Sequence, residues 1–189
     1  MEVTPTALPE VLLIRPRIFR DDRGSFHETW HSERYEQAGI PSTFVQDNVS
    51  LSRRGVIRGL HYQYPDPQGK LVMVLHGEVF DVAVDIRRGS PTFGQWDGAL
   101  LSAENGHQLW IPEGFAHGFA VLSDTAVFAY KCTRLYNPAG DAAVRFDDPD
   151  IGVDWGITDP ILSERDLRAP RLAAVPVGSL PSMSPSSGP

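Results

Sequence analysis

The sequence predicts an all-β fold, a jelly-roll β-barrel with one or two short helices, and three observations carry that expectation. Gly and Pro recur about every 8 to 12 residues, the spacing of a sandwich or barrel. The segments between them are short and rich in Val, Ile and Phe, residues that suit a pleated sheet. Strict alternation marks the clearest strand: in EVFDVAVDI, Phe80, Val82, Val84 and Ile86 share one face, and Asp81, Ala83 and Asp85 the other. An acidic inward face would give the barrel a wet lumen.

In chain order, strands are expected at 11–19 and 25–30, followed by a helix at 31–38 that Ser32 caps and Gly39 ends. Strands at 43–51 and 56–63 follow, then LVMVL at 71–75 and EVFDVAVDI at 78–86, which the His76-Gly77 turn would join as a hairpin. Four more are expected at 95–101, 107–111, 117–122 and 125–134. So many antiparallel strands with so little helix must double over or close to hide their edges, hence the jelly roll. The domain is expected to span 1–170. The Pro-, Ser- and Gly-rich remainder, 171–189, is expected to stay disordered.

Bulk properties narrow the function. A net charge of −7 and a pI near 5.3 argue against a nucleic-acid binder. No apolar run approaches the ~18 residues of a membrane span. MEVTPTALPE lacks the basic and apolar regions of a secretory signal. Cys132 is the only cysteine, so no disulfide is expected and a reducing cytoplasm is the natural setting. Against the acidic background Arg53, Arg54, Arg58 and Lys70 cluster around His61, which suits a small anionic ligand.

PEGFAHGF at 112–119 is similar to the second motif of the cupin barrels, in which such a histidine commonly binds a metal. The fold expectation becomes a cupin-type jelly roll. The metal expectation fails on donor supply, because a first-row metal needs three or four converging ligands. The earlier strand offers only His61 in GLHYQ, and His76 and His107 are poorly placed. His117 therefore reads as a hydrogen-bonding residue of a polar lumen. His61 gains from its company, since Arg58, Lys70, Asp81, Asp85, His117 and Tyr130 all fall on strands that could line one interior. Burying so many ionisable groups is unfavourable unless they serve a ligand. Arg58 and His61, three apart, share a face only if Gly59 introduces a bulge.

Several strings in order carry a more specific resemblance: DDRGSFHETW, QDNVSLSRRGVIRGLHYQ, GKLVMVLHGEVFDVAVDIRRGSPTFGQW, IPEGFAHGFAVLSD, YKCTRLYNP and ILSERD. From about residue 11 to 168 the chain resembles the dTDP-4-dehydrorhamnose 3,5-epimerase family. The resemblance implies a substrate, dTDP-4-dehydro-6-deoxy-D-glucose, whose C4 ketone acidifies the protons on C3 and C5. It implies no cofactor and no metal.

By that resemblance His61 is the base, Asp166 the carboxylate that orients it, Lys70 the cation at the C4 oxygen and Tyr130 the acid on the opposite face. Arg23 and Glu28 match a nucleotide-contacting arm contributed by the neighbouring subunit of a homodimer. Gln46, Asp47 and Asn48 match the thymidine-contacting stretch. Arg58 and His117 match contacts to the diphosphate and sugar, and Tyr136 the aromatic that stacks on thymine. The chain departs from the family at Asp141, where a Glu is usual, and at Arg165, where a Lys is usual. Both keep charge and alter reach, and bear on nucleotide contacts. Three alternatives stand beside the bifunctional epimerase. They are a single-centre C3 or C5 epimerase, a metal-dependent cupin, which bound metal would reveal, and a non-catalytic sugar-binding cupin.

Overall fold

A computed structural model describes residues 1–183. The strands are, in order, β1 (Glu2–Pro5), β2 (Leu12–Arg15), β3 (Phe19–Asp21), β4 (Gly24–Phe26), β5 (Gln46–Arg53), β6 (Ile57–Gln63), β7 (Lys70–His76) and β8 (Glu78–Asp85). They continue as β9 (Trp96–Ser102), β10 (Gln108–Ile111), β11 (Phe115–Val121), β12 (Thr125–Cys132) and β13 (Asp141–Ala143). Two short helices complete the set, α1 (Ser32–Gln37) and α2 (Glu164–Leu167). The strands form a six-stranded sheet, β1-β2-β10-β7-β12-β5, facing a five-stranded sheet, β13-β6-β11-β8-β9, with β3 and β4 a separate ribbon. This is the jelly roll that the alternation predicts.

The core between the sheets takes one face of each strand. Val72, Val74, Val79, Ala83, Leu109, Phe115, Phe119 and Phe128 meet there. Val82, Val84 and Ile86 point the other way from the five-stranded sheet and are buried against Trp155, Leu172, Val175 and Leu180. The face of β8 that carries Asp81 does turn inward. Asp85 does not join it in the lumen: its carboxylate accepts hydrogen bonds from Arg87, Ser90 and Thr92 at 2.6–3.0 Å and closes the turn after β8.

Three expectations require correction. The strands around His76-Gly77 do not pair as a hairpin, because β7 belongs to one sheet and β8 to the other. Gly77 turns the chain between the layers at φ +78°, where a Cβ would lie 2.1 Å from the Thr125 carbonyl oxygen. Hydrophobic alternation locates both strands but is silent on partners. Helix α1 is capped by His31, whose side chain accepts from the Arg34 N–H at 3.4 Å, one residue earlier than Ser32. The tail is packed as far as the structure describes it. Leu172, Val175 and Leu180 are buried, and Pro181 and Met183 exchange backbone hydrogen bonds with Arg88 at 2.9 and 3.0 Å. Three apolar anchors outweigh the polar composition between them because they cover the outer face of a sheet. Residues 184–189 lie outside the described residues.

Leu172→Ala should therefore lower unfolding free energy by about 2–4 kcal/mol in urea titrations, as for other buried leucines. An unchanged midpoint would show that the tail does not pack.

Candidate active site

A cavity of about 320 Å³ opens between the sheets, lined by Ser50, Arg58, His61, Gln68, Lys70, His117, Phe119, Tyr130, Tyr136, Asp141 and Arg165. The wall that carries His61 begins with a defect in β6. His61 pairs with His117 of β11 while Arg58 pairs with Phe119, so three steps on β6 oppose two on β11. The bulge sits at Gly59, at φ +142°, where a Cβ would lie 2.5 Å from Gly118 Cα. The extra residue brings Arg58 and His61 to the same cavity, which regular alternation forbids.

Behind His61 lies Asp166, at 2.7 Å from Nε2 and almost wholly buried. Helix α2 presents it, and the Ser163 side chain caps that helix by accepting the Asp166 N–H at 3.1 Å. Burial works to raise the Asp166 carboxyl. The hydrogen bond and charge of His61, with bonds from Ser163 and the Gly59 backbone, outweigh it and hold the group below the usual carboxylate range. A second pair lies deeper. His117 Nε2 is 2.9 Å from Asp81 Oδ2, and both side chains are buried. Burial lowers the pKa of His117 and raises that of Asp81, so the low-dielectric site disfavours charge on either.

Lys70 and Tyr130 stand together, the ammonium 5.9 Å from the ring centroid. Burial depresses Lys70 against the pull of Asp81 and Asp141, and burial raises the Tyr130 phenol, which stays protonated near neutrality. At the rim Tyr136 O–H donates to Asp141 at 3.0 Å, and Arg165 grips both Asp141 oxygens at 2.7 Å. The two positions that depart from the family pattern therefore meet each other, the shorter carboxylate matched by the forked guanidinium.

Gln46 and Asn48 reach this rim. The Tyr136 N–H donates to Gln46 Oε1 at 2.8 Å, and Gln46 Nε2 to Asn48 Oδ1 at 3.1 Å. The Asp47 side chain does not: alternation turns it outward, where Lys131 bonds it at 2.9 Å. Arg23 and Glu28 are also remote within the chain. Arg23 sits at the turn of the β3–β4 ribbon with its side chain 90% exposed beside Asp21, and Glu28 pairs with Arg34. Sequence reasoning missed Ser50, Gln68 and Phe119 as lining residues. Ser50 was accessible to it, two residues from Asn48 on the same strand face. Among the described residues no group of three or more His, Cys, Asp or Glu side chains is placed to hold a metal ion.

A family model described as dTDP-4-dehydrorhamnose 3,5-epimerase matches residues 5–174. The chain belongs to that family. It is similar to the dTDP-4-dehydrorhamnose 3,5-epimerase of Pseudomonas aeruginosa, at 56% identity over 88% of this chain and 93% of the relative. Among solved structures it resembles the dTDP-6-deoxy-D-glucose-3,5-epimerase of Legionella pneumophila in complex with dTDP-4-keto-L-rhamnose. The TM-score is 0.94 at 50% identity, covering 97% of this chain and 99% of that one. A 3'-monoepimerase from Streptomyces bikiniensis in complex with dTDP-quinovose also shares the fold. Its TM-score is 0.88 at 38% identity, covering 95% and 92% of the two chains.

Because the folded protein holds the Asp166 carboxyl below its ordinary 3.8, the stability it contributes is present above that pH and lost as pH falls through the lower folded value. Urea titrations from pH 6 down to about 2.5 should show wild type losing more stability on acidification than Asp166→Asn. Parallel curves would remove Asp166 from the linkage.

Proposed function

We propose that the protein inverts C3 and C5 of dTDP-4-dehydro-6-deoxy-D-glucose, giving dTDP-4-dehydro-L-rhamnose. Family membership supports the substrate, and one observation carries the chemistry: His61 with its buried carboxylate, Lys70 and Tyr130 surround a single cavity. With Asp166 ionised, Nε2 carries the proton it shares with that carboxylate, and Nδ1 keeps its lone pair for the substrate. Nδ1 takes the proton from the carbon beside the ketone. The C–H electrons form the enolate double bond and the carbonyl π electrons move to the C4 oxygen. Lys70 stabilises that charge in a partly desolvated setting, where such an interaction is strongest. The Tyr130 O–H returns a proton to the opposite face, and solvent restores the phenol and the imidazole before the second carbon reacts. Asp166 holds the imidazole and stabilises its protonated form.

Arg58 is suited to the diphosphate, and Tyr136, with Gln46, Asn48 and the Asp141–Arg165 pair behind it, to the thymidine. The protein acts as a homodimer in which the β3–β4 ribbon and its Arg23 reach the partner's cavity, and Glu28 follows from the same segment. Phe19 and Phe26 of the ribbon are 50% and 70% exposed, and Val49 and Leu51 of the edge strand β5 are 66% and 68% exposed, surfaces that association would cover. No described helix is long and apolar enough to cross a membrane. Reaction in the cytoplasm fits the lone free thiol of buried Cys132.

In heavy water the enzyme should place deuterium at both C3 and C5, read by NMR. His61→Ala should abolish both exchanges, and exchange that survives would remove His61 as the base. Tyr130→Phe should slow net inversion more than exchange. Label at one carbon only would favour the single-centre reading, which the shared fold of the monoepimerase leaves open.

Complementation tests the arm. Arg23→Ala and His61→Ala should each be impaired alone. Co-refolded, they should regain activity, since a mixed dimer holds one site with His61 from one chain and Arg23 from the other. No recovery would confine Arg23 to its own subunit.

A further inference from the structure

Among the described residues, the buried side-chain polar atoms without a hydrogen-bond partner are Ser50 Oγ, Asp81 Oδ1 and Arg88 Nε. Of these residues only Ser50 lines the active-site cavity. Its neighbours on the inward face of β5 are all engaged. Asn48 Nδ2 donates to Cys132 Sγ at 3.7 Å and its Oδ1 accepts from Gln46, while Ser52 Oγ accepts from Arg58 Nε at 3.0 Å. Across the sheet Ser50 faces Phe128, whose ring stacks on Phe119 at 4.1 Å. The hydroxyl thus borders an apolar floor that offers it nothing. A buried polar group left unpaired destabilises a protein by about 1–3 kcal/mol, and at a functional cavity such a group calls for a partner outside the fold, an ordered water or a ligand.

Position narrows which part of a ligand that is. Ser50 lies about 7 Å along the strand from Ser52, which holds Arg58, and equally far from Asn48, whose cross-strand partner is Tyr130. It therefore stands between the group suited to the diphosphate and the group suited to reprotonation. On the reading above, the substrate between those points is C1 and C2 of the pyranose, and C2 carries a hydroxyl. We propose that Ser50 is a further substrate-contacting residue, its Oγ hydrogen-bonded to the sugar's C2 hydroxyl, and that it makes the site selective for sugars bearing that group. This rests on the proposed substrate class and specifies one contact within it.

The test is a binding cycle with unreactive nucleotides on the full chain, by calorimetry: dTDP, dTDP-glucose and dTDP-2-deoxyglucose against wild type and Ser50→Ala. Wild type should bind dTDP-glucose about fivefold to tenfold more tightly than the 2-deoxy compound. Ser50→Ala should bind the two equally, with dTDP affinity unchanged and the thermal midpoint not lowered, because Oγ makes no bond within the protein. An equal loss for dTDP would overturn the proposal by moving the contact to the diphosphate, and discrimination that persists in Ser50→Ala would overturn it outright. None of these ligands needs turnover. A wild type that completes the cycle but leaves the 4-keto sugar unchanged would sink the epimerase reading alone.

Discussion

Strands β6 and β11 pass each other at Gly59 and Gly118 so closely that neither position admits a side chain without displacing backbone. A Cβ on Gly118 would meet the Arg58 carbonyl oxygen at 2.8 Å, just as one on Gly59 would meet Gly118. That contact allows the bulge, and the bulge aims two side chains three residues apart, Arg58 and His61, into one cavity. It also points the Gly59 amide at Asp166, so the carboxylate behind His61 is held by the same distortion that positions the imidazole. Without it, an ordinary strand would send either the Arg58 guanidinium or the His61 imidazole out of the lumen.

The rest of the site follows from how a low-dielectric interior tolerates charge. Two histidines of the cavity, partly exposed His61 and buried His117, each have a carboxylate on Nε2, Asp166 and Asp81 respectively, yet the two pairs differ. Asp166 sits at a helix start with several donors, which hold its carboxyl below the usual carboxylate range. Asp81 is completely enclosed, so the pair with His117 is pushed towards neutrality. The pair near the surface keeps an ionised carboxylate behind its imidazole, and the deeper one supplies a polar wall beside Lys70 without adding net charge.

Much of this was legible in the residues. The period-two pattern of β8 located the inner face that carries Asp81, and Gly59 marked where a bulge would bring Arg58 and His61 together, because both are local consequences of backbone geometry. Other features were not legible. LVMVL and EVFDVAVDI look like a hairpin because each is a good strand and the link is short, but pairing depends on which sheet has an open edge. The tail looked disordered because composition averages over Leu172, Val175 and Leu180, three side chains that matter only if an apolar face awaits them. Asp47 matched a binding motif, yet alternation turns its side chain to solvent and Lys131.

By itself the sequence determined the all-β class, the strands of the two main sheets other than the edge strands β1 and β13 and, through ordered motifs, the family and its set of candidate residues. These rest on short-range rules: side-chain alternation, glycine where φ is positive, and charge types suited to a ketone and a diphosphate. Only the tertiary structure decided which of those residues share a cavity. It joined His61 to Asp166 across 105 positions of chain, matched Asp141 to Arg165, excluded Asp85, and left Ser50 without a partner. The reason is that hydrogen bonding and burial are properties of neighbours in space, and neighbours across two sheets are set by how the layers stack.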